Sequence, residues 1–175
     1  MYQRILVPVD GSVTANRGLD EAIRLARLSG GRIRVVHVLD QLPLVTGFEF
    51  GTGDILGMLQ EAGAEILSAA KARVEAAGVP AEAYFSETLA GRICDIVDEQ
   101  ARQWGAEIIV IGTHGRRGVR RFVIGSDAEQ IVRTARVPVL LVRAVESAAA
   151  AETEATVRVL VDRAAEAPAQ PLAAT

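Results

Sequence analysis

Four short runs of aliphatic, mostly β-branched residues restrict this chain more than any other feature: 5–9, 33–39, 108–111 and 137–142. They are nearly continuous rather than alternating, so each needs burial on both faces. Parallel strands covered by helices on either side meet that need. The segments between them carry the helical period. Leu19, Ala22, Ile23 and Ala26 form one stripe, Ile93, Val97, Ala101 and Trp104 a second, and Ala128, Ile131, Val132 and Ala135 a third. A longer Ala-rich stretch, 54–77, with Leu56, Leu59, Ile66 and Leu67, is stopped by Gly78-Val79-Pro80. After it, "AEAYFSET" (81–88) reads as a weaker edge strand. The order β-α-β-α-β-α-β-α-β predicts an α/β fold: an open, doubly wound, five-stranded parallel sheet with helices on both faces.

Composition removes several function classes. A net charge of −3 provides no global basic field for nucleic acid or anionic lipid. Cys94 is the single cysteine, which excludes an internal disulfide and argues against a thiolate zinc site. No apolar run reaches 18 residues, so no membrane span is expected. "MYQRILVPVD" reads as a first strand rather than a charged leader, which points to the cytoplasm. The last 32 residues differ in kind, with 12 alanines and a charge of −3 against balanced charge in the first 143. The chain therefore divides into a domain over 1–143 and an Ala-rich acidic tail over 144–175. The tail reads as a solvated appendage, although "TVRVLV" (156–161) alternates like a strand or a docking segment.

In an open parallel sheet, ligands bind beyond the C-terminal strand ends, where strand order reverses. The polar residues there are Asp10-Gly11-Ser12 after the first strand, Asp40 after the second and Gly112-Thr113-His114-Gly115 after the fourth. Gly112 and Gly115 let the backbone turn and approach a ligand without a Cβ in the way. Gly125-Ser126 then opens a helix whose free N–H groups favour phosphate oxygens, and Ser126 can cap that helix or offer its hydroxyl. A Walker loop is excluded, because the only lysine, Lys71, lies in the Ala-rich helix. A dinucleotide fingerprint is excluded as well, because the first strand is followed only by Asp10-Gly11-Ser12.

The spacing that remains, Gly112-x2-Gly115-x9-Gly125-Ser126, resembles the ATP-binding branch of the universal stress protein family. "ILVPVDGS", "VVHVLD", "AEIIVIGTHGRRG" and "VPVLLVR" are similar to that family in the same order, over about residues 1–143. The resemblance implies a Rossmann-like fold and a cytoplasmic, dimeric stress-response switch that binds ATP. It places Asp10 by the nucleoside, the backbone of Val38 at the adenine and Ile111 beside ribose and base. Gly112, Gly115, Gly125 and Ser126 then surround ribose and phosphates. Pro8, Val9, His114, Arg116 and Asp127 complete the candidate site. Mg²⁺ would ride on the phosphates, since it keeps its waters and takes few protein ligands. Dimerisation would run through the last strand, Val137–Arg143, whose apolar edge invites pairing.

Plainer roles compete at several positions. Arg116, Arg117, Arg120 and Arg121 suit either a phosphate clamp or a solvated loop. Asp10 suits a helix-capping turn as well as a ribose, and Ser12 or Thr14 starts the first helix. His37 reads as a hydrogen-bonded core residue and Cys94 as a small core residue. With two histidines in the chain, a metal site on His37 or His114 is not expected. Asp127 suits the helix dipole but opposes phosphate. No catalytic residue is assigned, because nothing supplies a general base near a γ-phosphate. A nucleotide-binding switch is thus expected over a slow ATPase or phosphotransfer enzyme in the same pocket, and over a nucleotide-independent interaction module. ATP, AMP and cyclic AMP fit the spacing alike, and room is left for a protein partner. The glycine-rich segment 41–63 reads as a loop entering a helix, suited to a lid or a partner surface.

Overall fold

The computed structural model describes residues 2–41, 52–89, 91–113 and 125–143. Five strands form one parallel sheet: β1 (Arg4–Pro8), β2 (Arg32–Asp40), β3 (Ala81–Thr88), β4 (Ile108–Gly112) and β5 (Val139–Val142). They alternate with α1 (Val13–Ser29), α2 (Thr52–Ala76), α3 (Ile93–Trp104) and α4 (Ser126–Thr134). The strand order is β3-β2-β1-β4-β5, with every neighbouring pair parallel. The fold is therefore the open doubly wound α/β sheet that the apolar runs predict. The chain divides between Ala144 and Val145, and every described element lies before that point. No helix among the described residues is long and apolar enough to cross a membrane.

Alternation along the strands explains the two cores. Ile5, Val7, Val9, Ile33, Val35, Ile108 and Val110 face one side, where Leu19, Ala22, Ile23 and Ala26 of α1 and Leu67, Ala70 and Val74 of α2 pack on them. Leu6, Val36, Ile109 and Ile111 face the other, covered by Cys94, Val97 and Ala101 of α3 and Ala128 and Ile131 of α4. Ile5, Leu6 and Val7 are fully buried, so β1 carries both layers. Burying one such side chain stabilises the fold by about 1.5–3 kcal/mol. At the outer edge, Glu82 accepts from the Arg34 guanidinium and the Trp104 indole, joining β3, β2 and α3. The Arg34 hydrogen bond holds the Glu82 carboxyl below its usual range.

Several boundaries and roles differ from the sequence reading. The last strand begins at Val139 rather than Val137, because Pro138 lacks a ladder N–H, although its carbonyl accepts from Ile109. Within the segment 41–63 the helix begins at Thr52, two residues before the expected 54, since Leu56, Leu59 and their neighbours continue its helical period, while 42–51 lie outside the described residues. Val132 is exposed, so the buried stripe of α4 reduces to Ala128 and Ile131. The Ala-rich tail, with its 156–161 stretch, also lies outside the described residues.

Gly112 has a structural reason to be glycine. A Cβ built there would sit 2.5 Å from the Thr14 carbonyl carbon and oxygen and 2.8 Å from Ala15 N. Gly18 makes the reciprocal approach, its own Cβ position lying 3.1 Å from Gly112 N. Helix α1 thus crosses the end of β4 backbone against backbone, which only residues without side chains permit. Gly112→Ala must push α1 off the sheet, and a loss of about 1–3 kcal/mol is expected, read as a lower urea midpoint in equilibrium unfolding.

Candidate functional site at the strand-order reversal

From β1 the chain proceeds through α1 towards β2, whereas from β4 it proceeds through α4 towards β5, on the opposite side. β1 and β4 are nevertheless neighbours. Their C-terminal ends therefore bound the crevice where strand order reverses, the place such sheets reserve for ligands.

The β1 side of this crevice is a tight turn. Asp10 Oδ1 accepts from Ser12 N at 2.9 Å, and Gly11 takes the left-handed backbone, φ +79°, that a side chain would disfavour. Ser12 caps α1, its Oγ accepting from Ala15 N at 3.1 Å. Asp10 therefore orders the turn that aims α1 at the crevice, and Ser12, not Thr14, begins the helix. No acidic residue lies in the first turn of α1, so the positive end of its dipole stands without a carboxylate from the helix itself. Pro8 ends β1 and Val9 is buried directly after it.

On the β4 side the motif's ends meet. Thr113, buried, is tied to β5 by its N–H to Val142 O at 3.0 Å. Its own carbonyl accepts from Gly125 N at 2.7 Å. The chain thus leaves and re-enters at one hydrogen bond, which brings Gly112 and Gly125 to the same edge. His114, Gly115, Arg116, Arg117, Arg120 and Arg121 lie between these points, outside the described residues. Gly125 is the N-cap of α4, and no side chain caps that helix. Ser126 is consequently its first residue rather than its cap, exposed and with its hydroxyl free of that duty. Asp127, also exposed, and Glu129 place two carboxylates in the first turn of α4. The two helix ends at the crevice thus differ in charge: α4 carries two carboxylates in its first turn, and α1 has Asp10 in the turn before it.

The third wall is β2. The β1–β2 ladder runs to Pro8↔Val36, with Val9 N donating to Val36 O at 2.8 Å. Even-numbered residues of β2 present their peptides to β1, and odd-numbered ones present theirs to β3, as Ile33 N to Pro80 O shows. Val38 therefore carries its N–H and C=O past the end of β1, at the crevice. Ile111 is buried under α4, behind the β4 end. The structure gathers Pro8, Val9, Asp10, Val38, Ile111, Gly112, Gly125, Ser126 and Asp127 around the three strand ends. It also gives Gly112 a packing role against α1.

His37 and Cys94 both take core positions. Burial pushes the Cys94 thiol up, which keeps it protonated between α3 and α4, where Sγ lies 3.5 Å from Gln130 Oε1. Among the described residues, no three metal-ligating side chains come together. The sequence reading missed a shallow cavity of about 310 Å³ between α1 and α2, lined by Val9, Gly11, Asn16, Ile66, Ala70 and Arg73. Only the pairing of distant helices creates it.

The model of the "Universal stress protein family" matches residues 1–143. A universal stress protein of Methanocaldococcus jannaschii is 31% identical over 144 residues, covering 82% of this chain and 83% of that protein. Among solved structures, a member of the family from Burkholderia pseudomallei is 32% identical with a TM-score of 0.67, covering 82% of this chain and 97% of that one. A universal stress protein from Archaeoglobus fulgidus, solved in complex with dAMP, is 30% identical with a TM-score of 0.58, covering 81% and 98%.

The Ser12 cap gives a first check of the local geometry. Ser12→Ala removes the acceptor for Ala15 N and is expected to cost about 0.5–2 kcal/mol in urea unfolding, with Ser12→Asp retaining most of the stability.

Proposed function

The chain belongs to the universal stress protein family, and we propose that it binds an adenine nucleotide, ATP carried with Mg²⁺, at the crevice between the ends of β1, β2 and β4. The observation that carries this reading is the Gly125 N to Thr113 O bond. It draws the ends of the glycine motif together and opens α4 at the same end of the sheet as α1, so two helix N-termini border one crevice. The A. fulgidus relative solved with dAMP supports an adenine nucleotide as the class of ligand.

In this reading Asp10 meets the ribose or base from its turn, Val38 meets the adenine through its peptide, and Ile111 lies behind them. Gly125 and Ser126 face the phosphates, and His114, Gly115 and Arg116 extend the cradle by sequence position. The fit is uneven in charge: α1 has no carboxylate in its own first turn and only Asp10 in the turn before it, while Asp127 and Glu129 repel bare phosphate. A cation on the phosphates relieves that repulsion, and Mg²⁺ would hold them through oxygen and water. The nucleotide acts as a bound signal rather than a substrate. The protein works as a cytoplasmic homodimer joined through Val137–Arg143, where β5 is the outer strand and Leu140 is 37% exposed.

Two measurements test the proposal. Gly125 sits at φ −57°, ψ 148°, backbone that alanine adopts freely. Gly125→Ala should therefore keep the wild-type melting temperature and lower ATP–Mg²⁺ affinity about tenfold or more by calorimetry. Unaltered affinity would remove this loop from the site. Leu140→Glu should convert a dimer to a monomer in light scattering, because a carboxylate would be buried in the paired edge. A dimer that survives would place the interface elsewhere.

A further inference from the structure

We propose that His37 is a positioning residue for nucleobase recognition: by taking the Val9 carbonyl, it keeps the Val38 peptide open to the base. This rests on the nucleotide reading above and goes one step further, to what makes one strand edge available.

In a parallel ladder, the peptide of each second residue on β2 pairs with β1. Val36 does so, accepting from Val9 N at 2.8 Å. The next peptide on that edge belongs to Val38, and the acceptor it would meet by continuing the ladder is the Val9 carbonyl. That oxygen is 2.7 Å from His37 Nδ1. A carbonyl only accepts, so Nδ1 carries the proton and donates. The side chain of one β2 residue thus holds a lone pair of the carbonyl that its neighbour's N–H would otherwise seek, and the last pair of the ladder is Pro8↔Val36.

The ring is locked in that task. His37 is 6% exposed and stacks on Phe85 of β3, with ring centroids 5.8 Å apart and planes 28° from parallel. Helix α2 presses on it from above at Gly63, where a Cβ would lie 2.7 Å from Phe85 Cε2 and 2.9 Å from His37 Cδ2. Helix, ring and strand leave the imidazole one seat, with Nδ1 aimed at the end of β1. The same hydrogen bond restrains Val9, the residue before the Asp10 turn. His37 therefore acts on two walls of the crevice without facing it.

Two substitutions separate the hydrogen bond from the ring. His37→Phe keeps an aromatic ring against Phe85 but has no donor. His37→Asn loses the stack yet keeps an N–H donor at the same number of bonds from the backbone as Nδ1. For the wild type and both variants, calorimetry with ATP–Mg²⁺, GTP–Mg²⁺ and inorganic tripolyphosphate reads base recognition apart from phosphate binding. With His37→Phe, ATP affinity should fall about tenfold and the ATP-over-GTP preference should collapse, while tripolyphosphate affinity is unchanged. With His37→Asn, affinity and preference should stay within about threefold of wild type. A His37→Phe protein with wild-type ATP affinity and base preference would overturn the proposal, as would an asparagine variant no better than phenylalanine. If neither variant folds, amide hydrogen exchange on the wild type decides. The Val38 N–H should exchange readily without nucleotide and be protected by ATP, and an amide already protected without ligand overturns the inference. Wild-type protein that binds no nucleotide sinks the preceding reading instead, and the Val38 exchange rate without ligand still tests this one.

Discussion

Everything at the strand-order reversal of this molecule depends on how closely α1 lies over β4. The two meet at Gly18 and Gly112, where the Cβ that each lacks would press on the other's backbone. That contact holds the first turn of α1 over a strand it does not follow in sequence. It spans the point where strand order reverses. Were the helix lifted by the width of one methyl group, its first turn would lose its place beside Gly112. Close packing makes such a crossing all-or-none, because the atoms on either side have nowhere to go.

Around that crossing, the crevice is built almost wholly from backbone. Gly11, Gly112 and Gly125 add no side chains, Val38 presents its peptide, and both helices present their N-termini. Backbone recognition suits a ligand made of planar heteroatoms and phosphates, because peptides supply donors and acceptors in fixed directions. The charged residues then set the balance. α1 has no carboxylate in its first turn and α4 has two, so charge as well as shape distinguishes the two ends of the crevice.

Most of the fold was legible from local pattern. The continuous Ile/Val runs marked strands buried on both faces, and the helical stripes marked the faces of α1 and α3 that are buried here. The misreadings have specific causes. Pro138 shortens β5 because it cannot donate to the ladder, and a propensity reading of an apolar run does not register that. Gly53 and Gly57 fall inside α2, which starts at Thr52, two residues before the Ala-rich stretch suggested. At Gly63 the glycine is explained by His37 and Phe85 pressing on the helix, a contact between elements that local sequence does not reveal. Ser126 looked like a cap by residue type, but the helix begins one residue earlier than that role requires.

The sequence by itself determined which segments are strands and helices, their order, and the glycine spacing at the end of β4. Each of these is encoded in a few neighbouring residues, through side-chain period, propensity and turn chemistry. Tertiary structure alone decided that β1 lies beside β4, some hundred residues away in the chain. It also decided that Gly112 meets α1, that Gly125 N meets the Thr113 carbonyl, and that His37 holds the Val9 carbonyl. Those are contacts between distant residues. They exist only once two apolar faces have been buried on one sheet, and burial drives that assembly without direction. The directed contacts are settled afterwards, by which atoms the packing leaves face to face.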